Sequence, residues 1–210
     1  MSTELTAYPL ERTALIVMDA LNDFLSEGGK LWDDVKDVVT GVDMLPHMSQ
    51  VIDAARAAGI PVLHAPMETN EWDYSVWKNL SLSTKNLGKF QIFQAGTWGA
   101  AFHPDFQPQD GDVVVVPHKA FDAFHGTDLD TQLRQRGCDY IILVGMVTNT
   151  CIESTGRDAF ERGFHITFVT DAVGAFSWEA HRAAIEQNWP RFAHEILATA
   201  EVVKLLEASM

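Results

Sequence analysis

The chain has 210 residues, 47% of them hydrophobic, which suits one globular domain with its own core and excludes a disordered polymer. Fifteen Lys and Arg stand against 29 Asp and Glu, a formal charge of −14, so the chain lacks the positive field that would make nucleic acid or an anionic membrane a partner. Two cysteines form no disulfide framework at this length, and each needs an explanation as packing or as reactivity.

The opening Met-Ser-Thr-Glu-Leu-Thr has neither the basic nor the apolar part of a signal peptide. The longest apolar runs are far shorter than the ~18 residues that cross a bilayer. A cytoplasmic protein is expected. Thr13-Ala-Leu-Ile-Val-Met-Asp19 is a branched apolar run ending in an acid, the pattern of a strand buried on both faces. The pattern recurs at Pro61–His64, Val113–Val116, Tyr140–Val144, His165–Val169 and, more weakly, Glu195–Ala198. Helical spacing predicts helices over Pro46–Ala58, Thr127–Arg136, Cys151–Arg162 and Trp178–Gln187, the first three closed by Gly59, Gly137 and Gly163 and the last ended before Pro190. Strands and helices alternate, so the expected architecture is α/β: three layers, with a mostly parallel six-stranded sheet between helices. The long stretch Pro66–Asp112 holds Trp72, Tyr74, Trp77, Phe90, Phe93, Trp98, Phe102 and Phe106 with weak periodicity. A helix over Val76–Leu87 and a role as lid, binding loop or oligomer contact are expected for it.

Ligands of open parallel sheets gather outside the carboxyl ends of the strands. The first strand delivers Asp19 there, the third His118 and Lys119, and the fourth the segment Gly145-Met-Val-Thr-Asn-Thr-Cys151. Thr150-Cys-Ile-Glu153 has the form of a capping box, which places Cys151 in a first helical turn where free N–H groups and the helix dipole favour thiolate. Glu153 works slightly against that ionisation. Cys138, before a strand, falls at the opposite end of the sheet and reads as structural. Asp19, partly desolvated at a strand end, is a candidate proton acceptor.

Three blocks carry a resemblance to a known family: Ala14-Leu-Ile-Val-Met-Asp-Ala-Leu-Asn-Asp-Phe24, Phe124-His-Gly-Thr-Asp-Leu129 and Gly145-Met-Val-Thr-Asn-Thr-Cys-Ile-Glu-Ser-Thr-Gly-Arg-Asp-Ala159. Over about Thr13 to Gly174 the chain resembles the isochorismatase-like cysteine hydrolases. The resemblance implies a Rossmann-like α/β/α domain with a Cys–Asp–Lys triad, here Cys151, Asp19 and Lys119. It implies a non-proline cis peptide at Met146–Val147, an oxyanion hole from the Val147 and Cys151 N–H groups, and no organic cofactor. The activity implied is cleavage of the C–N bond of a small amide or ureide through a thioester, releasing ammonia or an amine. Ureidoacrylate and biuret are the kind of substrate that the third block suggests. Relatives form dimers or tetramers, so a homo-oligomer is expected.

The chain departs from the family pattern in one register. Relatives place Lys six residues ahead of Phe before the Thr-Asp-Leu segment, whereas Lys119 stands five ahead of Phe124 and His118 takes the sixth place. Lys119 is favoured because a fixed cation suits the mechanism and an ordinary His is largely neutral at pH 7. No Asp-x-His pair follows the second strand and His64 reads as structural, so neither a metal site nor nicotinamide is expected. Cys151 argues against vinyl-ether cleavage of the isochorismatase type, and the missing glycine-rich phosphate loops argue against a purely nucleotide-binding protein. Asn22, Phe24, Trp72, Phe121 and Phe124, with Tyr74 and Trp178 near them, are the expected walls of a small, partly apolar pocket.

Overall fold

The computed structural model describes residues 5–70 and 72–210. Residues 1–4, the start of the stretch read for a signal peptide, and residue 71 lie outside the described residues. Among the described residues six strands form one sheet: β1 (Thr13–Met18), β2 (Val62–Ala65), β3 (Val113–Val114), β4 (Tyr140–Met146), β5 (His165–Gly174) and β6 (Glu195–Leu197). Nine α-helices among the described residues accompany them: α1 (Asn22–Leu25), α2 (Trp32–Gly41), α3 (Met44–Ala57), α4 (Asp73–Val76), α5 (Leu82–Lys89), α6 (Leu129–Gln135), α7 (Glu153–Glu161), α8 (Trp178–Ala183) and α9 (Thr199–Glu207).

Side-chain alternation along each strand builds two cores. Leu15 and Val17 of β1 join Ile142 and Val144 of β4 beneath α2, α3 and α9. Ala14, Ile16 and Met18 join Ile141 and Leu143 on the other face, beneath α6 and α7. Burial on both faces is why these strands read as unbroken apolar runs rather than as an in-and-out pattern. The sheet is α/β/α and parallel throughout, in the order β3-β2-β1-β4-β5-β6. The chain runs outward from β1 on one side, then returns to lay β4 beside β1 and runs outward on the other. The order therefore reverses between β1 and β4, where an open α/β sheet parts to form a ligand crevice.

Gly145 is needed at this junction. Its φ is 115°, and an added Cβ would lie 2.0 Å from the Met18 carbonyl oxygen. A side chain would push β4 away from β1 just before both strands deliver their functional residues.

Several elements differ from the sequence expectation. Val113–Val116 shrinks to a two-residue edge strand with Val114 and Val116 exposed, because only β2 lies beside it. Val76–Leu87 breaks into α4 and α5 around an extended Trp77, and Ser81 caps α5 through the Thr84 N–H. Helices α2 and α9 were not expected, the first because three Asp dilute its apolar face of Val35, Val38 and Val39. The long insertion crosses the exit of β1: Asn22 N–H donates to the Ala101 carbonyl, His103 N–H to Ala20, and Leu21 bridges Phe102.

Candidate active site

Asp19 follows β1 directly, and its backbone turns through the left-handed region (φ 48°), which Asp tolerates better than most residues. The side chain is buried and its two oxygens have different surroundings. Oδ1 accepts the Met67 N–H at 2.6 Å and faces His118 Nε2 at 3.0 Å. Oδ2 is buried with no hydrogen-bond partner.

Cys151 comes from the neighbouring strand end. After β4 and the cis Met146–Val147 peptide, Thr148–Ile152 form a wide turn in which the Ile152 N–H reaches the Val147 carbonyl at 3.2 Å, and this turn runs straight into α7. No side chain caps α7. Glu153 instead accepts from Arg157 and Asn188, so the expected capping box does not form. Cys151 is only 3% exposed. Burial pushes its thiol pKa well above the ordinary value, and the charge and hydrogen-bonding reach of Asp19 push it further, while the Thr150 hydroxyl and the Val147 N–H pull down without reversing the balance. Together these influences favour the thiol over the thiolate. The expectation of a thiolate at rest is corrected here, because desolvation and an adjacent carboxylate outweigh the field of a helix start. No hydrogen bond of ordinary geometry closes on Asp19 Oδ2, so that oxygen is open to a proton from sulfur.

The register question between residues 118 and 119 has a geometric answer. The strand β3 continues as a bridge between His118 and Met67, with His118 N–H donating to Pro66 and Glu68 N–H to His118. This pairing aims His118 inward, onto Asp19, and turns Lys119 outward. The Lys119 ammonium donates to the Glu68 carbonyl at 2.9 Å and pairs with Asp73 at 3.1 Å, while its own carbonyl accepts from the Tyr74 hydroxyl. The expected contact of Lys119 with Asp19 gives way to His118 because neighbouring residues of an extended segment point to opposite sides.

The expected pocket walls are mostly engaged elsewhere. Asn22 donates to the Trp98 carbonyl and accepts from Ser26, which ties the insertion down and leaves little for a ligand. Phe24 packs on Phe93 with ring centroids 4.7 Å apart and has Phe176 at its other side. Phe124 is buried against Phe164 beneath the Arg162 guanidinium, and Trp72 is 70% exposed. Phe121 is half-buried against the core that also contains Cys151. A surface cavity of about 580 Å³ is lined by Asp122, Ser154, Arg157, Phe160 and Phe192, among others, and includes neither Cys151 nor Asp19. Cys138 sits at the amino end of the sheet, with its sulfur facing the Thr13 carbonyl at 3.7 Å. His64 is fully buried and its Nε2 meets Asp112, which Arg56 also grips. Among the described residues no cluster of three or more His, Cys, Asp or Glu could hold a metal ion.

Two contributors were not read from the sequence. Met67 enters through its backbone N–H, and a backbone donor leaves no signature in side-chain identity. Thr148 donates its hydroxyl hydrogen to the Gly174 carbonyl at 2.8 Å, so His181 Nδ1, 3.0 Å away, must be the donor to Thr148 Oγ1. These bonds fasten the turn that carries Cys151 to β5 and α8.

Comparison with known proteins gives the chain a family. A family model described as "Isochorismatase domain" matches residues 13–200. Ureidoacrylate amidohydrolase RutB of Rhizobium rhizogenes is 31% identical over 183 residues, covering 80% of this chain and 72% of that one. The protein of the same name from Yersinia enterocolitica is 34% identical over 170 residues, covering 73% and 71%. Among solved structures, a cysteine hydrolase from Pseudomonas syringae pv. phaseolicola superposes with a TM-score of 0.85 at 29% identity, covering all of both chains. With the match spanning all six strands and both strand ends that carry Asp19 and Cys151, this chain belongs to the isochorismatase domain family.

Proposed function

We propose that this protein is a cysteine hydrolase that cleaves the C–N bond of a small amide or ureide through a thioester on Cys151. One observation carries the reading: a buried thiol and a carboxylate with one uncommitted oxygen arrive from adjacent strand ends at the point where the sheet order reverses. The similarity to ureidoacrylate amidohydrolases supports a ureide or carbamoyl substrate.

The steps follow from the groups present. Asp19 Oδ2 takes the thiol proton as sulfur adds to the carbonyl carbon, and the carbonyl π electrons move onto oxygen. The Val147 and Cys151 N–H groups stabilise that oxyanion, each such donor contributing about 3 kcal/mol. Collapse breaks the C–N bond while Asp19 returns the proton to nitrogen, and ammonia or an amine leaves. Water then attacks the thioester and gives a proton to Asp19. The C–S bond breaks and sulfur recovers the proton. Because the site favours the thiol over the thiolate, the base is part of the first step and not a bystander. Phe121, half-buried on the core side that holds the sulfur, is the expected wall residue best placed to flank a substrate.

In this reading the protein is a cytoplasmic homo-oligomer. Its two free cysteines suit a reducing compartment, and among the described residues no helix is long and apolar enough to cross a membrane. The exposed Trp72, Val76, Leu82, Phe90 and Trp98 of the insertion supply apolar surface for a subunit contact. Light scattering on the purified chain tests that assembly. Ammonia release from a panel including ureidoacrylate and biuret, with Cys151→Ala as control, tests the activity. Turnover of one ureide that vanishes in the variant supports it, and turnover that survives Cys151→Ala removes the thioester route.

A further inference from the structure

The pair formed by Asp19 and His118 has a property that the family's lysine does not share. The His118 ring is held at both nitrogens. Its Nδ1 lies 2.5 Å from the Ala120 carbonyl oxygen, which only accepts, so Nδ1 carries a hydrogen. Its Nε2 lies 3.0 Å from Asp19 Oδ1, another acceptor unless protonated. One further proton must sit between Nε2 and Oδ1. Both side chains are buried, so neither polar group can exchange its partner for bulk water without exposing the other.

We infer that His118 is the positioning residue of Asp19 and holds it as an imidazolium–carboxylate pair, with the ring hydrogen fixed on Nδ1 by Ala120 and the second proton supplied to Oδ1. This deepens the hydrolase reading and rests on it for the catalytic consequence. With Oδ1 bonded to Met67 N–H and His118 Nε2–H, Oδ2 is the carboxylate oxygen left free to take the thiol proton. When Oδ2 takes the sulfur proton, the imidazolium remains and offsets the new thiolate charge. When the pair loses its proton, Nε2 presents a lone pair to Oδ1, and the thiolate forms with no cation near it.

The charged groups around the ring act in the same sense. Asp19 and Asp122 favour its protonated form, as does the Ala120 carbonyl. Burial opposes protonation as the largest single influence, and the others together still raise the pKa of His118 above 6.5. Lys119 on the adjoining residue is neutralised by Asp73 and Glu68. Burial and Asp19 favour the uncharged form of Cys151, so it adds little charge beside the ring.

Activity is therefore expected to be full below the His118 pKa and to fall as pH rises through it. A lysine at this position keeps its charge to higher pH. Nitrogen-15 NMR of histidine-labelled protein reads the proton directly and needs no substrate. The expected result is both His118 nitrogens protonated at pH 6.5, a titration midpoint above 6.5, and a midpoint below it in Asp19→Asn. A neutral His118 at pH 6.5, or a midpoint unchanged in Asp19→Asn, overturns the assignment. In parallel, kcat/KM for ammonia release from ureidoacrylate is followed against pH. The alkaline limb should coincide with the NMR midpoint, move upward by about one unit or more in His118→Lys, and disappear in His118→Gln with kcat lowered about 100-fold. A limb that stays in place in His118→Lys also overturns the proposal. Absence of ureidoacrylate turnover alongside the expected NMR titration counts against the substrate reading and still supports the paired proton.

Discussion

The two cysteines lie at opposite ends of the same sheet and are buried almost equally, 2% exposed for Cys138 and 3% for Cys151. Burial raises the pKa of both thiols. At the amino end, the Cys138 sulfur faces the carbonyls of Thr13 and Arg136, and the nearby Asp139 is held by Arg12 on the surface. At the carboxyl end, Cys151 has a buried carboxylate whose Oδ2 has no partner. Desolvation alone makes a sulfur inert. A base with one uncommitted oxygen, delivered by a neighbouring strand, is what turns an equally buried sulfur into a candidate nucleophile.

The largest effect that tests this contrast is deletion of each sulfur. Cys151→Ala is expected to lower kcat by about 10⁴-fold or more, as loss of a nucleophile does elsewhere, while Cys138→Ala leaves kcat within about two-fold and costs about 1 kcal/mol of stability. Ammonia-release kinetics and urea unfolding read the two sides. Comparable losses in both variants would erase the distinction between the sheet ends. Asp19→Asn keeps the shape of the carboxyl group and removes its basicity, for an expected fall in kcat of about 10³-fold. The same variant sharpens the comparison through alkylation. Iodoacetamide is expected to label Cys151 about ten-fold faster than Cys138 in the wild type, and the difference should vanish in Asp19→Asn if the carboxylate is the source of reactivity. Labels counted by mass spectrometry decide it.

Gly145→Ala addresses the scaffold. The new Cβ meets the Met18 carbonyl at 2.0 Å at a φ of 115°, so a loss of about 3 kcal/mol in urea unfolding is expected, with activity lost alongside. The smallest fall expected of a residue behind the active site belongs to Thr148→Val, which removes the bonds to Gly174 and His181 and leaves the turn less firmly held. A fall of about ten-fold in kcat with KM little changed is expected. A larger rise in KM than fall in kcat would place Thr148 at the substrate and not behind the sulfur.

Much of the fold was legible from local pattern. Continuous apolar runs ending in Asp19 and at Gly145 marked strands buried on both faces, and the alternation with helices implied a parallel sheet. The edge strand β3 was overestimated because Val113–Val116 has the composition of a buried strand, while only the sheet order says that one flank is open. The insertion was opaque for a related reason. Its helices α4 and α5 are short, and its form is set by bonds across to Ala20, Asn22 and Asp23, which lie far from it in sequence. The pocket walls are hard to read from sequence because an aromatic residue near a functional segment packs inward as readily as it lines a cleft, as Phe124 does against Phe164.

The amino-acid sequence by itself determined that Asp19 and Cys151 follow strands, and therefore that both lie at the carboxyl end of a parallel sheet, because apolar continuity and a sharp polar stop are local features. Only the tertiary structure decided which of two adjacent residues, His118 or Lys119, faces Asp19. That choice depends on the pairing of residue 118 with Met67, and side chains one residue apart in an extended chain point opposite ways. The protonation of Cys151 was likewise a tertiary outcome, since the charge of a buried thiol is set by the water it has lost and by a carboxylate brought from 132 positions away in the chain, as 151 − 19 gives.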